Sequence, residues 1–412
     1  MKRVSQATPE IARRLRQVRQ IWRSEGQRGI SDRVRTALAS YIKPTTEKWP
    51  VRPADVLAAD LTRPIQAPSR MAQPDEPIAV NWVMPPGSPG SGGHTTIFRI
   101  IGYLQRIGYI NRVYFYDPQL GDHQYYADIA RHYYGFAGPI ANVDDTMADA
   151  HAVVATSWPT AYPVFNAPCS GKRFYFVQDF EPHFYPVSAA SILAENTYKM
   201  GFHGITAGRW LAEKLRAEFG MTADHFEFGC DTSRYHRAAG TRRKGVAYYA
   251  RSGAARRGFE LGIMALQIFA QRNPDIELHL YGEKASALPF AYIDHGLVSP
   301  DQLNTIYNRC FAGLSLSLTN VSLVPHEMIA AGCIPVVNDA IHNRIVLNNQ
   351  FVRYAPPTPH ALAMELEAIV KDSNFEQQSQ AAASSVTSST WDAAGESVDA
   401  AFRRVLRSSE RS

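Results

Sequence analysis

Residues 317–337 read SLTNVSLVPHEMIAAGCIPVV. They hold a short loop, a helix start with one carboxylate, Glu327, and the apolar run Ile334 to Val337, of the kind that forms a strand buried on both faces. Open α/β sheets bind ligands at the carboxyl ends of their strands. A loop leading into a helix there can turn backbone N–H groups toward a phosphate while Glu327 accepts from a ribose. The pattern points to a sugar nucleotide. The competing reading gives Glu327 only an electrostatic role at the helix N-terminus.

Outward from this stretch, apolar runs alternate with helix-like segments. The spacing predicts strands over 78–84, 113–116, 153–156, 173–177 and 226–229, with helices over 96–107 and 207–219. After a polar connection at 232–244, a second series of strands is expected at 246–250, 276–282, 311–316, 334–337 and 351–354. Repeated βα alternation implies parallel sheets. The 412 residues exceed one ordinary core, so two doubly wound domains of roughly 150–200 residues each are the simplest arrangement. The expected division is a helical extension with a proline-rich linker over 1–77, an N-terminal domain over 78–238, a C-terminal domain over 239–388 and a last helix over 389–412.

Hydrophobic residues make up 45% and charged residues 20% of the chain, as in a soluble globular protein. No apolar run approaches the ~18 residues needed to span a bilayer, and the start MKRVSQATPE lacks the apolar stretch of a secretory signal, so a cytoplasmic location is expected. Cys169, Cys230, Cys310 and Cys333 form no C-x-x-C pair, which argues for buried thiols rather than zinc, redox or disulfide roles. Eleven basic and three acidic residues precede position 46, a local surplus of 8, which leaves −3 for the rest of a chain whose net charge is +5. That surplus marks an appended arm and not a nucleic-acid-binding face. Thr8 and Pro9 suit a helix start, Ile11, Leu15, Val18 and Trp22 recur on one side of it, and a second helix fits 31–42. Such basic amphipathic helices lie on anionic membranes or pack against protein.

Three further stretches carry chemistry. After the first strand comes the glycine-dense loop PPGSPGSGGHTT, residues 85–96, which lets backbone approach a ligand at a helix start through Gly92 and Gly93. It lacks the G-x-G-x-x-G and G-K-[ST] spacings of dinucleotide and ATP sites. After strand 246–250 come Arg251 and Arg257, with Arg256 beside them, two guanidiniums able to clamp a diphosphate. After strand 173–177 come Asp179, Glu181 and His183, an acid/base set at one strand end. No D-x-D motif or His-rich cluster appears, so no required metal is expected.

Taken together, GGHTT from Gly92, YFVQDFEPHFY from Tyr175, YYARSGAARRGFELG from Tyr248, LYGEK from Leu280 and LSLTNVSLVPHEMIAAG from Leu316 resemble the retaining GT-B glycosyltransferases of family four. The resemblance is strongest to the WsaF-like rhamnosyltransferase subgroup and covers residues 78–405. It implies two Rossmann-like domains facing a central cleft, the first binding an acceptor glycan, free or lipid-linked, and the second a nucleotide-sugar donor, dTDP-L-rhamnose, with no further cofactor. Arg251 and Arg257 match the family's diphosphate ligands and Glu327 the acid on the ribose. Lys284 falls near the phosphates, His295 and Leu297 near the base, and Thr319, Asn320, Ser322 and Leu323 in the donor-binding loop. Asp179, Glu181 and His94 would orient donor and acceptor, and Trp391 begins the helix that crosses back to the first domain.

Two departures from the family pattern bear on the substrate. Thr319 stands where many relatives have an acid eight residues before the ribose carboxylate. Gln178-Asp179 replaces His-Asp, and the missing histidine suits a sugar without a 6-hydroxyl. The alternatives are another nucleotide sugar on the same fold, or a non-catalytic carbohydrate-binding scaffold.

Overall fold

A computed structural model describes residues 7–42, 49–63, 65, 68, 70–73, 76–284 and 287–407. The chain forms two compact units that divide between Pro50 and Val51. In the first, one helix runs from Ala7 to Ile42 and is kinked at Gly26, whose φ of 63° no helix interior adopts. The kink does the work expected of a break between two helices. Val18, Trp22, Val34, Leu38 and Ile42 are exposed on it. The side chains of Thr8, Pro9, Ile11 and Leu15 lie outside the described residues.

The second unit contains both sheets. The first comprises β1 (Ala79–Met84), β2 (Ile110–Phe115), β3 (Ile140–Asn142), β4 (Ala152–Ala155), β5 (Lys172–Val177), β6 (His203–Ala207) and β7 (Ala223–Phe226), in the order 3-2-1-4-5-6-7. The second comprises β8 (Gly245–Tyr249), β9 (Glu277–Tyr281), β10 (Ile293–Asp294), β11 (Cys310–Leu314), β12 (Ile334–Asn338) and β13 (Arg353–Ala355), in the order 10-9-8-11-12-13. Every strand pairs in parallel. All residues of β1, β4 and β12 are buried, as helices on both faces require. Strand order reverses between β1 and β4, and again between β8 and β11. Crevices open at such reversals. The glycine-dense loop follows β1, the arginine loop follows β8, and the Glu327 loop follows β11.

Four strands depart from the sequence expectation. The run expected at 226–229 is replaced by β7 at 223–226, because Gly204 to Ala207 of β6 pair in register with Ala223 to Phe226. The apolar-poor β6 and the short edge strands β3 and β10 were not expected at all. The segment read as linker up to residue 77 joins the sheet-bearing unit from Val51 onward. Val51 is buried, Asp55 accepts from the Tyr116 hydroxyl at 2.6 Å, and Ala72 N–H donates to Leu406 O at 3.3 Å.

The last helix, Trp391–Arg407, lies on the N-terminal lobe. Phe402 is fully buried, its ring 4.9 Å from Phe174 and 6.1 Å from Trp82. Gly395 allows the close approach, since a Cβ there would meet the Tyr103 ring at 2.2 Å.

Candidate active site

The loop after β11 is fixed at Ser317. Its N–H donates to Asn338 Oδ1 at 2.8 Å, and its carbonyl accepts from Asn338 Nδ2 at 2.9 Å, His342 Nε2 at 2.7 Å and Asn343 Nδ2 at 3.4 Å. All three partners are buried. Asn338, His342 and Asn343 were not among the residues singled out from sequence. The only sequence signal for them is polar side chains directly after a fully apolar strand.

Arg257 closes the loop from the other side. One guanidinium nitrogen donates to Ser317 Oγ at 2.7 Å and to Asn320 O at 3.4 Å. Burial pulls its pKa down, opposed by Asp179 and reinforced by the neighbouring charges of Arg256 and Arg251. Arg257 thus holds the loop with the charges of Arg256 and Arg251 close enough to repel its own, a repulsion that a phosphate would relieve.

Beyond Ser317 the loop is rich in buried polar atoms that have no protein partner. Among the described residues nine buried side-chain atoms make no hydrogen bond, and Asn320 Oδ1, Ser322 Oγ, His326 Nε2 and Asn343 Oδ1 are four of them. Folded proteins satisfy nearly all buried polar groups, so their concentration around one loop marks it as the place where a polar ligand supplies partners. Leu323 precedes the helix Val324–Ala330, in whose first turn Glu327 sits. Burial pushes the Glu327 carboxyl up to about 7, with the Tyr235 and Tyr307 hydroxyls beside it and Asp231 adding to the rise. The Tyr307 hydroxyl also shares a hydrogen bond of 2.8 Å with Tyr281.

Arg251, Lys284, His295 and Leu297 meet in a pocket of about 620 Å³, lined also by Gly282, Glu283, Asp294 and Gly296. That is ample for a nucleoside. His295 is held from behind, its Nε2 2.9 Å from His279 Nδ1, whose Nε2 lies 3.2 Å from Glu277. Arg251, Arg257 and Glu327 make no direct bond with one another. Arg257 and Glu327 flank the same loop, and Arg251 lines the pocket with Lys284 and His295.

In the N-terminal lobe the helix Gly92–Arg106 starts without a side-chain cap, leaving the first amides of Gly92 and Gly93 free of one. A Cβ on Gly93 would lie 3.5 Å from the Gln178 amide. Gln178 O in turn accepts from Asn320 Nδ2 at 2.8 Å, and Ala207 O accepts from the same nitrogen at 3.3 Å. Asn320, expected at the donor, therefore spends its amide nitrogen joining the two lobes. Asp179 is buried, accepts from Phe180 N–H at 2.8 Å and lies 3.6 Å from Arg256 Nε. Burial pushes its carboxyl up, against the pull of Arg257, the adjacent Thr319 and Arg256.

Two sequence expectations are corrected here. Glu181 turns into the lobe and not toward the cleft, accepting from Trp158 N–H at 2.5 Å and from the Tyr175 hydroxyl at 3.4 Å. It anchors the start of the helix Trp158–Asn166. Burial pushes this carboxyl up to about 8. His94 is occupied at both nitrogens. Nε2–H donates to Pro85 O at 2.9 Å, which leaves Nδ1 to accept from Ser91 Oγ at 2.9 Å, so the ring pins the glycine-dense loop. His183 is exposed, beside the Phe180 ring.

The sequence profile of the WsaF N-terminal domain matches residues 146–207, and that of the WsaF C-terminal domain matches residues 244–367. The chain thus resembles WsaF in a segment of each lobe. The chain is 34% identical over 252 residues to the O-antigen biosynthesis protein RfbC of Myxococcus xanthus, an alignment that covers 58% of the chain. It spans only 20% of the length of RfbC. Among solved structures, TarM of S. aureus aligns with a TM-score of 0.64 at 7% identity, covering 82% of this chain and 100% of that one. Anabaena HepE, determined with UDP and glucose, aligns with a TM-score of 0.61 at 14% identity, covering 79% and 100%. At such identities they show the fold, which is GT-B. Among the described residues no helix is long and apolar enough to cross a membrane.

Proposed function

We propose that this WsaF-like chain is a glycosyltransferase of O-antigen or related surface-polysaccharide assembly, and that it moves L-rhamnose from dTDP-L-rhamnose to a growing glycan with retention of configuration. The observation that carries the reading is the loop 317–326, where buried polar atoms without protein partners stand beside Arg256 and Arg257 at a strand-order reversal. In this reading the nucleoside fills the pocket of Arg251, Lys284, His295 and Leu297, Glu327 accepts from the ribose, and Arg257 with Arg251 neutralises the diphosphate as charge grows on it. The departing phosphate helps to take the acceptor proton on the same face. Gln178 in place of histidine supports a 6-deoxy sugar. The acceptor is a glycan, free or lipid-linked, laid against the N-terminal lobe.

The arm fits a peripheral contact with an anionic membrane. Its basic surplus and its exposed Trp22, Leu38 and Ile42 are the pairing of charge and apolar side chains that an interface takes up.

A thermal-shift screen across nucleotide sugars tests the donor. A ligand at a hundred times its dissociation constant adds about 2.7 kcal/mol to stability. The largest shift is expected from dTDP-rhamnose, and turnover of that donor separates an enzyme from a scaffold that binds and releases nothing. A larger shift from a UDP- or GDP-sugar overturns the donor assignment.

A further inference from the structure

Arg256 stands between the two lobes. Its side chain leaves the 3-10 turn Ala255–Arg257 after β8, crosses to the N-terminal lobe and meets two residues there. Its Nε lies 3.6 Å from Asp179 Oδ2, and its guanidinium carbon sits 4.3 Å above the centre of the Phe184 ring. Asp179 and Phe184 flank and close the 3-10 turn Glu181–Phe184 that follows β5. The Arg256 carbonyl accepts from Leu318 N–H at 3.0 Å, so its backbone is tied to the donor loop while its side chain grips the opposite lobe. Nε is buried and makes no hydrogen bond. At 3.6 Å the ion pair falls just short of one, and a small closing movement would complete it.

We propose that Arg256 is a positioning residue: it latches the two lobes together by holding Asp179 and the face of Phe184, and it thereby sets Asp179 against the donor loop. Arg257, one residue on, points into its own lobe toward Ser317 and Asn320. Adjacent arginines thus divide the work, one gripping the loop and the other the partner lobe. Asp179 lies in the field of Arg256, Arg257 and His342 from the C-terminal lobe, and of Glu181 and His183 from its own turn. Within this set Arg256 is the cation that touches its carboxylate, and Asn320 supplies the hydrogen bonds that complete the clasp. The latch itself stands on geometry alone. Its effect on turnover rests on the donor reading above.

Distance measurement tests the latch without reference to activity. Cys169, Cys230, Cys310 and Cys333 are all buried, so spin labels attach selectively at Glu213→Cys in the N-terminal lobe and Lys371→Cys in the C-terminal lobe. In the full-length chain, Arg256→Gln is expected to broaden the label-to-label distribution toward longer distances, Arg256→Lys to retain most of the parent distribution, and Phe184→Leu to give an intermediate one. A parent-like distribution in Arg256→Gln overturns the latch. In turnover of dTDP-rhamnose, Arg256→Gln is expected to lower kcat by about tenfold with donor KM unchanged, and to add nothing to the loss caused by Asp179→Asn, as coupled residues do. Additive losses in that cycle overturn the link to Asp179. Absence of turnover in the parent protein overturns the donor reading and leaves the distance result to decide the latch.

Discussion

Replacing Glu181 with glutamine should make the protein more stable at neutral and alkaline pH. The carboxyl sits at 5% exposure in a wall formed by Trp158, Tyr175 and Tyr198, and burial raises it from 4.5 to about 8. An acid whose folded value lies above its unfolded one keeps its proton in the native state after the unfolded chain has released it. Its contribution is therefore fully present below about pH 4.5 and is lost as pH climbs through 8. Each pH unit in that window costs about 1.4 kcal/mol, which comes to roughly 3 kcal/mol by pH 7 and on the order of 5 kcal/mol above pH 8. Glutamine does not titrate, and its amide oxygen can take the Trp158 N–H that Oε2 now accepts. Urea unfolding at several pH values between about 5 and 9 should show the two proteins converging at the acid end and the variant ahead by a few kcal/mol at the other. dTDP binding should be unchanged, because Glu181 faces away from the cleft. Parallel pH profiles, or a variant weaker throughout, would refute the burial argument.

Glu327→Gln addresses the ribose contact. With the native carboxyl near 7 and only its ionised form able to accept both ribose hydroxyls, affinity for a nucleotide sugar should rise as pH goes from about 6 to 8 and then level, whereas the variant should bind about 10- to 100-fold more weakly with little pH dependence. Equal slopes in the two titrations would remove Glu327 from the donor site. Phe402→Ala, which empties a fully buried ring position against Phe174 and Trp82, should lower unfolding stability by about 3–5 kcal/mol, and a loss under 1 kcal/mol would mean that the last helix is not anchored there.

The lobes were legible because their central strands are uninterrupted apolar runs, and the loops at the two strand-order reversals were legible because glycines, arginines and a lone acid stood at strand ends. Strand β6, His-Gly-Ile-Thr-Ala, was not. Its polar residues look exposed in sequence, yet His203 is held by Asp224 at 2.8 Å and Thr206 by Gly208 O at 3.0 Å, both partners supplied by later chain. The lock on Ser317 was hidden for the same reason, since Asn338, His342 and Asn343 act through contacts made only after the sheet forms. Acidic residues at a strand end were read correctly in position, but the direction each side chain takes depends on what the neighbouring strand's loop offers. Trp158 N–H drew Glu181 inward, while Arg256 drew Asp179 to the lobe boundary. Arg256 looked like a bystander because its partners belong to the other lobe.

In the proposed reading Arg257 grips the donor diphosphate beside loop 317–323. Calorimetric titration of dTDP into the parent and into Arg257→Ala, with turnover of dTDP-rhamnose measured on the same samples, tests this most directly. A loss of at least about a hundredfold in turnover, with weaker dTDP binding in a variant that remains folded, is the predicted result. Binding and turnover equal to those of the parent would contradict the placement of the donor.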